Sequence, residues 1–374
     1  MYIVPIASGK GGVGKTLLAG NLALALGQAG KRVVLCDLDL GGSNLHLVLG
    51  IPPVEGGLGA FIHRPDLTLE DIILETEYPN VRFVPGDGEM PGAANLTAAQ
   101  KHRIRKSLLS LETDYLLLDL GAGTHLSILD FFLLSRRGVV ITTPTPMATV
   151  NAYLFLKNVL FRLLSKTMKK KSEAYQYLET LRKEGTALQN IYLPKLLEEI
   201  QKRDKETYHL FQQHLANFQP RLVLNLVEDP RDAEKAHKLR RSCLQYLNLD
   251  LEHLGIIYRD NLQDIALSSR LPLLMYKPQS VLSTAIRRIT DKLIQSEGEE
   301  DSFPSMEETF QEASLEAEVD YEAKMDYLQE LLHTGALTTG DLIETVKMQQ
   351  IEINQLKKEN SYLKAKLVNL LKGA

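Results

Sequence analysis

Residues Gly9-Lys10-Gly11-Gly12-Val13-Gly14-Lys15-Thr16 fit the pattern G-x-x-x-x-G-K-[ST] and leave this chain little freedom in how it folds. The pattern has meaning only where a strand ends and a helix begins. Here it follows the apolar run Tyr2–Ala7 and opens the helical stretch Thr16–Ala29, so that context is met. Glycines let backbone N–H groups turn inward around phosphate oxygens, and a helix N-terminus adds partial positive charge. Lys15 is expected to reach the β- and γ-phosphates, and the Thr16 hydroxyl to coordinate Mg2+. A merely tight turn would explain the glycines but not the lysine, so nucleotide binding is the expected chemistry.

The rest of the first half agrees with such a fold. Tyr2–Ala7, Arg32–Asp37, Val81–Pro85, Tyr115–Asp119 and Gly138–Thr143 read as buried strands, short and apolar and ended by Gly, Pro or Asp. Helical stretches such as Thr16–Ala29 and Thr97–Leu111 lie between them. Alternation of this kind implies right-handed crossovers and an α/β architecture, a mostly parallel sheet with helices on both faces. Arg221–Val227 and His253–Tyr258 look like further strands, and Ser280–Leu293 like the helix that closes a domain over residues 1–295. A mostly helical stretch, about residues 165–219, is too long for an ordinary connection and reads as an inserted helical hairpin. Its Lys166–Lys171 run, with four lysines, reads first as a solvated helix end and second as a contact for phosphate or acidic lipid.

At 374 residues the chain has room for two or three domains, or for one large domain with an appendage. Its 44% hydrophobic content excludes wholesale disorder. Two cysteines, Cys36 and Cys243, form no CxxC pair, which fits a reducing cytosol and argues against a cysteine-ligated zinc or iron–sulfur site within one chain. The N-terminus has no basic leader region, and the uncharged stretch Gly138–Leu156 is interrupted by Thr142-Thr143-Pro144-Thr145-Pro146. The expected location is therefore cytoplasmic, at most peripheral on the inner face of the cell membrane.

Beyond Gln295 the composition changes. From Glu297 to Glu330 thirteen acids face Lys324 alone, a local charge of −12 in a chain of net −4, which leaves +8 elsewhere. Residues 296–340 are expected to form an acidic linker, flexible or loosely helical. In residues 341–374, Val346, Ile353, Asn360 and Leu367 fall every seven residues, interleaved with Leu342, Gln349, Leu356, Leu363 and Leu370. This a/d seam reads as a parallel coiled-coil dimer, with Asn360 setting register and Glu352–Lys357 and Glu359–Lys364 pairing across it. Val368 and Leu371 are apolar outside the seam, and lysines flank them. The same tip therefore also reads as an amphipathic helix for an anionic membrane surface.

The second lysine of the loop, Lys10 in GKGGVGKT, resembles the deviant Walker A loop of the MinD/ParA class of P-loop ATPases. In that class the corresponding lysine reaches the partner's phosphates across a nucleotide-sandwich dimer. The resemblance implies an ATP- and Mg2+-dependent homodimer in which Lys10 acts in trans. Asp37-Leu38-Asp39-Leu40-Gly41-Gly42-Ser43-Asn44-Leu45 looks like the family's first switch. Asp39 would orient the attacking water, and Asp37 would support the metal shell. Tyr115-Leu116-Leu117-Leu118-Asp119 looks like a Walker B strand with Asp119 near the metal, and Leu120-Gly121-Ala122-Gly123-Thr124 like the second switch. Many MinD relatives have Pro where Gly121 stands. Asn225 matches the Asn that contacts adenine in the family.

Asp119-Leu120-Gly121-Ala122-Gly123, Leu129-Asp130-Phe131-Phe132, Thr142-Thr143-Pro144, Asn151-Ala152-Tyr153 and Ala94-Asn95-Leu96 look most like the FlhG/FleN branch, which regulates flagellar number and placement. The expectation is an ATP hydrolase that works as a slow, partner-stimulated switch in space or number, its partner flagellar or polar. Two readings compete with it. One is a ParA-like DNA-partitioning ATPase, less favoured because only the insertion offers a basic surface. The other is a nucleotide-bound coiled-coil scaffold without significant hydrolysis.

Overall fold

A computed structural model describes residues 1–54, 56–86, 96–183, 192–297 and 305–334. The heptad segment 341–374 lies outside them, as do Ala94 and Asn95. The strands are β1 (Tyr2–Ser8), β2 (Val33–Leu38), β3 (Leu74–Glu75), β4 (Val81–Val84), β5 (Tyr115–Ala122), β6 (Val139–Thr142), β7 (Arg221–Val227) and β8 (Glu252–Tyr258). Among the described residues they form one sheet in the order β3-β4-β2-β5-β1-β6-β7-β8. All neighbours run parallel except β3, which pairs antiparallel through Leu74 opposite Phe83. The apolar runs form strands because both faces of the sheet are covered, so nearly every side chain is buried. The two-residue β3 shows no period in sequence and has no counterpart among the expectations.

Helix α1 (Lys15–Gln28) lies on one face and is buried almost all round, as its run of Leu, Ala and Gly allows. It shares one apolar cluster with Ile6, Leu35, Leu117, Ile141, Val223 and Leu254 of the sheet. Ile286 and Ile289 join that cluster from the late helix that closes the face. Four short or medium helices intervene along the first half: α2 (Leu45–Val48), α3 (Leu58–His63), α4 (Ala98–Leu109) and α5 (Leu126–Phe132). The start of α4 carries a capping box, Thr97 with Gln100, and so follows the sequence expectation.

The insertion holds more helices than a hairpin. α6 (Pro146–Thr167) runs on from the domain, and α7 (Glu173–Lys183), α8 (Leu193–Arg203) and α9 (Lys205–Ala216) follow before β7. Each of the last three has its own apolar stripe, such as Leu193, Leu196, Leu197 and Ile200 on α8. The lysine run is partly spent on ion pairs within the chain: Lys166 pairs with Asp130 at 2.8 Å and Lys169, at the surface, with Glu206 at 2.6 Å.

After β7 come α10 (Glu234–Leu247), α11 (Leu262–Ser268), α12 (Leu273–Tyr276) and α13 (Val281–Gln295), the helix of the α1 face. Within residues 296–340, expected to be an acidic linker, flexible or loosely helical, α14 (Met306–His333) runs as a continuous helix. The chain divides into two compact units, Met1–Asp320 and Tyr321–Ala374, so the first extends past residue 295. Within it α14 buries Phe310, Ala313 and Ala317. Its acids meet cations of α10 and α13: Glu307 with Arg240, Glu316 with Lys292 at 3.0 Å, and Asp320 with Arg288 at 2.6 Å. Among the described residues no helix is long and apolar enough to cross a membrane.

Candidate nucleotide site

The parallel sheet brings the C-terminal ends of β1, β2 and β5 side by side. Register sets Asp37 beside Asp119 and Asp119 beside Ile6, three residues ahead of Gly9. Val13 is buried and pins the loop to the core, while Gly11 and Gly12 are exposed with open space before them. Gly12 and Gly14 have φ of 76° and 85°, a conformation that favours glycine. Gly14 caps α1 without any side-chain hydrogen bond, so the N–H groups of the first turn face the cradle. Gly9 is fixed by contact instead, because a Cβ there would lie 2.1 Å from the carbonyl oxygen of Asn151. Ser8 closes the turn by donating its hydroxyl to the carbonyl of Lys10 at 2.9 Å.

Four predicted residues converge in front of this cradle. Lys15, 7% exposed, places Nζ 2.6 Å from Asp119 Oδ1, 3.4 Å from Thr16 Oγ1 and 3.9 Å from Asp39 Oδ2. Asp119 Oδ2 is buried without a hydrogen-bond partner. Burial pushes the Asp119 carboxyl up, opposed by Lys15 and by the Thr16 hydroxyl. That orphan oxygen beside Thr16 suits a hydrated Mg2+, which keeps several waters and takes its other ligands from phosphate. Among the described residues no group of three His, Cys, Asp or Glu forms an all-protein metal cage.

Asp37 stands one step behind. It is fully buried, with Oδ1 accepting from the N–H of Asp39 at 3.0 Å and Oδ2 from the Ser43 hydroxyl at 2.6 Å and the N–H of Leu45 at 3.3 Å. Burial, reinforced by Asp119, pushes its pKa up to about 6. Its oxygens shape the loop that presents Asp39, whose side chain is 31% exposed.

The model of the CobQ/CobB/MinD/ParA nucleotide-binding domain matches residues 4–350 of the chain. The chain belongs to the CobQ/CobB/MinD/ParA nucleotide-binding family. Among curated relatives, it is 34% identical over 157 residues to the flagellum site-determining protein YlxH of Helicobacter pylori, across 41% of this chain and 52% of that protein. To the antiactivator FleN of Pseudomonas aeruginosa it is 30% identical over 159 residues, across 42% and 56% respectively. The chain thus spans about half the length of the curated relatives it matches. Among solved structures, the septum site-determining protein MinD of Pyrococcus horikoshii, complexed with Mg-ADP, superposes with a TM-score of 0.55 at 23% identity. That match covers 81% of this chain and 99% of the other, and it shows the shared fold.

Within this CobQ/CobB/MinD/ParA frame the remaining site residues fall into two groups. Lys10 is exposed and points away from the loop, its Nζ 3.8 Å from Met147 Sδ at the start of α6. It lines a cleft of about 490 Å3 between the loop and the Thr143–Pro146 turn, with room for a base and ribose. Leu226, at φ of 56°, forms part of the cleft wall where β7 loses register with β8. Asn225 lies under the loop, 2% exposed, its Nδ2 donating to the carbonyl of Val13 at 2.8 Å. Nδ2 sits 2.3 Å from where a Gly14 Cβ would be, so Asn225 in this place requires glycine at position 14. Ser43 falls within the expected first switch, whereas sequence reasoning missed Ser8 and the α6 N-terminus as parts of the site. Only the proline-rich turn at Thr143–Pro146 hinted at the last.

Proposed function

We propose that this chain is a MinD/FlhG-like ATPase that dimerises on binding ATP and regulates the placement or number of a cellular structure, flagella being favoured. The observation that carries the reading is Lys10, an exposed second lysine in a loop that already holds a buried one. A loop that only held its own nucleotide has no need of it. Similarity to YlxH and FleN supports the flagellar branch.

In this reading Gly9 to Thr16 cradle the phosphates, Lys15 exchanges its contact with Asp119 for phosphate oxygens, and Thr16 with Asp119 holds the metal. Mg-ATP supplies the scissile phosphoanhydride and the charge neutralisation that in-line transfer needs. Asp39 orients a water on the open side of the loop, held there by the hydrogen bonds of Asp37. Hydrolysis is slow until a protein partner completes the site, so the enzyme is a timer. The heptad segment 341–374 adds a parallel coiled coil, and its basic amphipathic tip adds weak contact with an anionic membrane.

The test uses size-exclusion chromatography with light scattering in an Asp39→Ala background, which should trap ATP-bound dimers. Adding Lys10→Ala is expected to leave ATP binding intact and abolish the ATP-dependent dimer. An intact dimer would sink the in-trans role. Unchanged hydrolysis in Asp39→Ala would remove the residue from the reaction.

A further inference from the structure

Helices α6 and α10 pack against each other and leave an open groove of about 400 Å3 between them. Val150 and Tyr153 of α6 line it, with Lys238, Leu239 and Tyr246 of α10. Leu239 is buried, whereas Val150 is 56% exposed and Tyr246 42%. The inserted helices extend the wall beyond α10. Tyr192, at the start of α8 and 46% exposed, sets its ring edge-on to that of Tyr246 at 6.1 Å. Its hydroxyl donates to the carbonyl of Gln245 at 3.3 Å, which ties the insertion to α10 at this point. Tyr153 belongs to Asn151-Ala152-Tyr153 and takes no part in the nucleotide cleft.

Apolar side chains scattered singly over a surface need no explanation, but a contiguous strip of them marks contact with another molecule. Tyrosine suits such contact, since it offers a large area with few torsions to fix. The shape narrows the choice of occupant. A trough between two helices receives a third, whose residues at i, i+3, i+4 and i+7 fill it. Charge narrows it again, for no acid lines the groove among the described residues. Lys238 stands in it, Lys235 lies one turn earlier on α10, and Lys195 one turn beyond Tyr192 on α8. Among the described residues none of the three forms an ion pair. Acids on an incoming helix complement these lysines and set its orientation. A second copy would bring the same lysines to a two-fold contact, where like charges repel.

We propose that this groove docks an amphipathic helix of a partner protein, apolar along one stripe and flanked by acids, and that the insertion completes it through Tyr192. The groove adjoins the nucleotide cleft: Ala148 and Lys235 line the cleft, Thr149 and Lys238 the groove. A helix seated here lies against the early turns of α6, within reach of the phosphate loop's open side. Docking itself needs no nucleotide, so the proposal stands apart from the ATPase reading.

The experiment is fluorescence anisotropy on the full, nucleotide-free chain. The probes are labelled peptides of about 16 residues, a length at which a lone helix begins to hold in water. One carries a leucine stripe flanked by glutamates, and its twin has lysines in place of the glutamates. The acidic peptide is expected to bind, and the basic twin about tenfold more weakly or not at all. Val150→Asp, at an exposed position, is expected to weaken the acidic peptide about tenfold, and Tyr192→Ser about threefold. Lys238→Glu should shift preference toward the basic twin, a reversal that loss of fold cannot produce. ADP titrations on the same proteins report separately on nucleotide binding and on folding. No binding of the acidic peptide, equal binding of the twins, or unchanged affinity in Val150→Asp overturns the proposal. Unchanged affinity in Tyr192→Ser removes the insertion from the site. Nucleotide-free self-association that Val150→Asp abolishes would give the face to a second copy, and so would also overturn it.

Discussion

Gly121 sets where Asp39 can stand. A Cβ on Gly121 would come within 3.1 Å of Asp39 Oδ1, tighter than a comfortable contact. Gly121→Ala is therefore expected to displace the carboxylate and lower ATP turnover about tenfold, since small misplacements of a positioning group are costly. ADP affinity should be retained. Phosphate release and calorimetry measure the two, and unchanged turnover would mean that Asp39 positions nothing. Asn225 gives a second test at this scale. Its hydrogen bond to Val13 makes it a support of the loop, so Asn225→Ala should weaken ADP and GDP alike, by about tenfold for a lost buried hydrogen bond. Loss confined to ADP would restore the contact with adenine that the family resemblance implies.

His253 brings the elements into view, because it lies on β8 beneath α14, its ring 4.7 Å from that of Phe310. Burial, with Lys292 and His237 nearby, pushes its pKa down to about 3, so the folded chain keeps it neutral. The unfolded chain takes up a proton as pH falls through about 6.5, and the folded chain does not. Stability present above that value is then lost on acidification, by about 1.4 kcal/mol per pH unit down to the folded value. Thermal melts at about pH 7.5 and about pH 5.5 should show a larger loss in the native chain than in His253→Leu. Equal losses would exclude the ring as the cause. The seat of α14 also shows where sequence reading stops. The phosphate loop, the long strands and the helix after each were legible because burial on both faces and glycine geometry leave local marks. The acids of α14 looked solvated because their cations, Arg240, Arg288 and Lys292, stand in helices earlier in the chain. The insertion was legible as helical, but not its division into α7, α8 and α9 among the described residues. Asn225 was legible by position and not by contact, for nothing local told that its amide turns toward Val13.

At the scale of the molecule, the near-neutral net charge of −4 is a cancellation between separated signs. The acidic stretch spends part of its charge internally on α10 and α13, and the basic tip of residues 363–372 is left for a membrane in the proposed function. Liposome co-sedimentation of the full chain, with and without ATP, is expected to show ATP-dependent binding to anionic vesicles. A chain truncated after Asn360 should lose that binding while still dimerising with ATP. Binding that survives truncation would place the membrane contact elsewhere.

β8 is the last strand of its sheet, and α14 meets its outer side: the N–H of His253 donates to Thr309 Oγ1 at 3.1 Å, and the Tyr258 hydroxyl to the carbonyl of Ala317 at 2.8 Å. A bare outermost strand is a template on which a second chain can add its own. α14 therefore acts as a guard against self-association in the wrong register. A fragment ending at residue 297, where the composition invites a cut, is expected to aggregate, whereas one ending at residue 334 stays monodisperse without nucleotide.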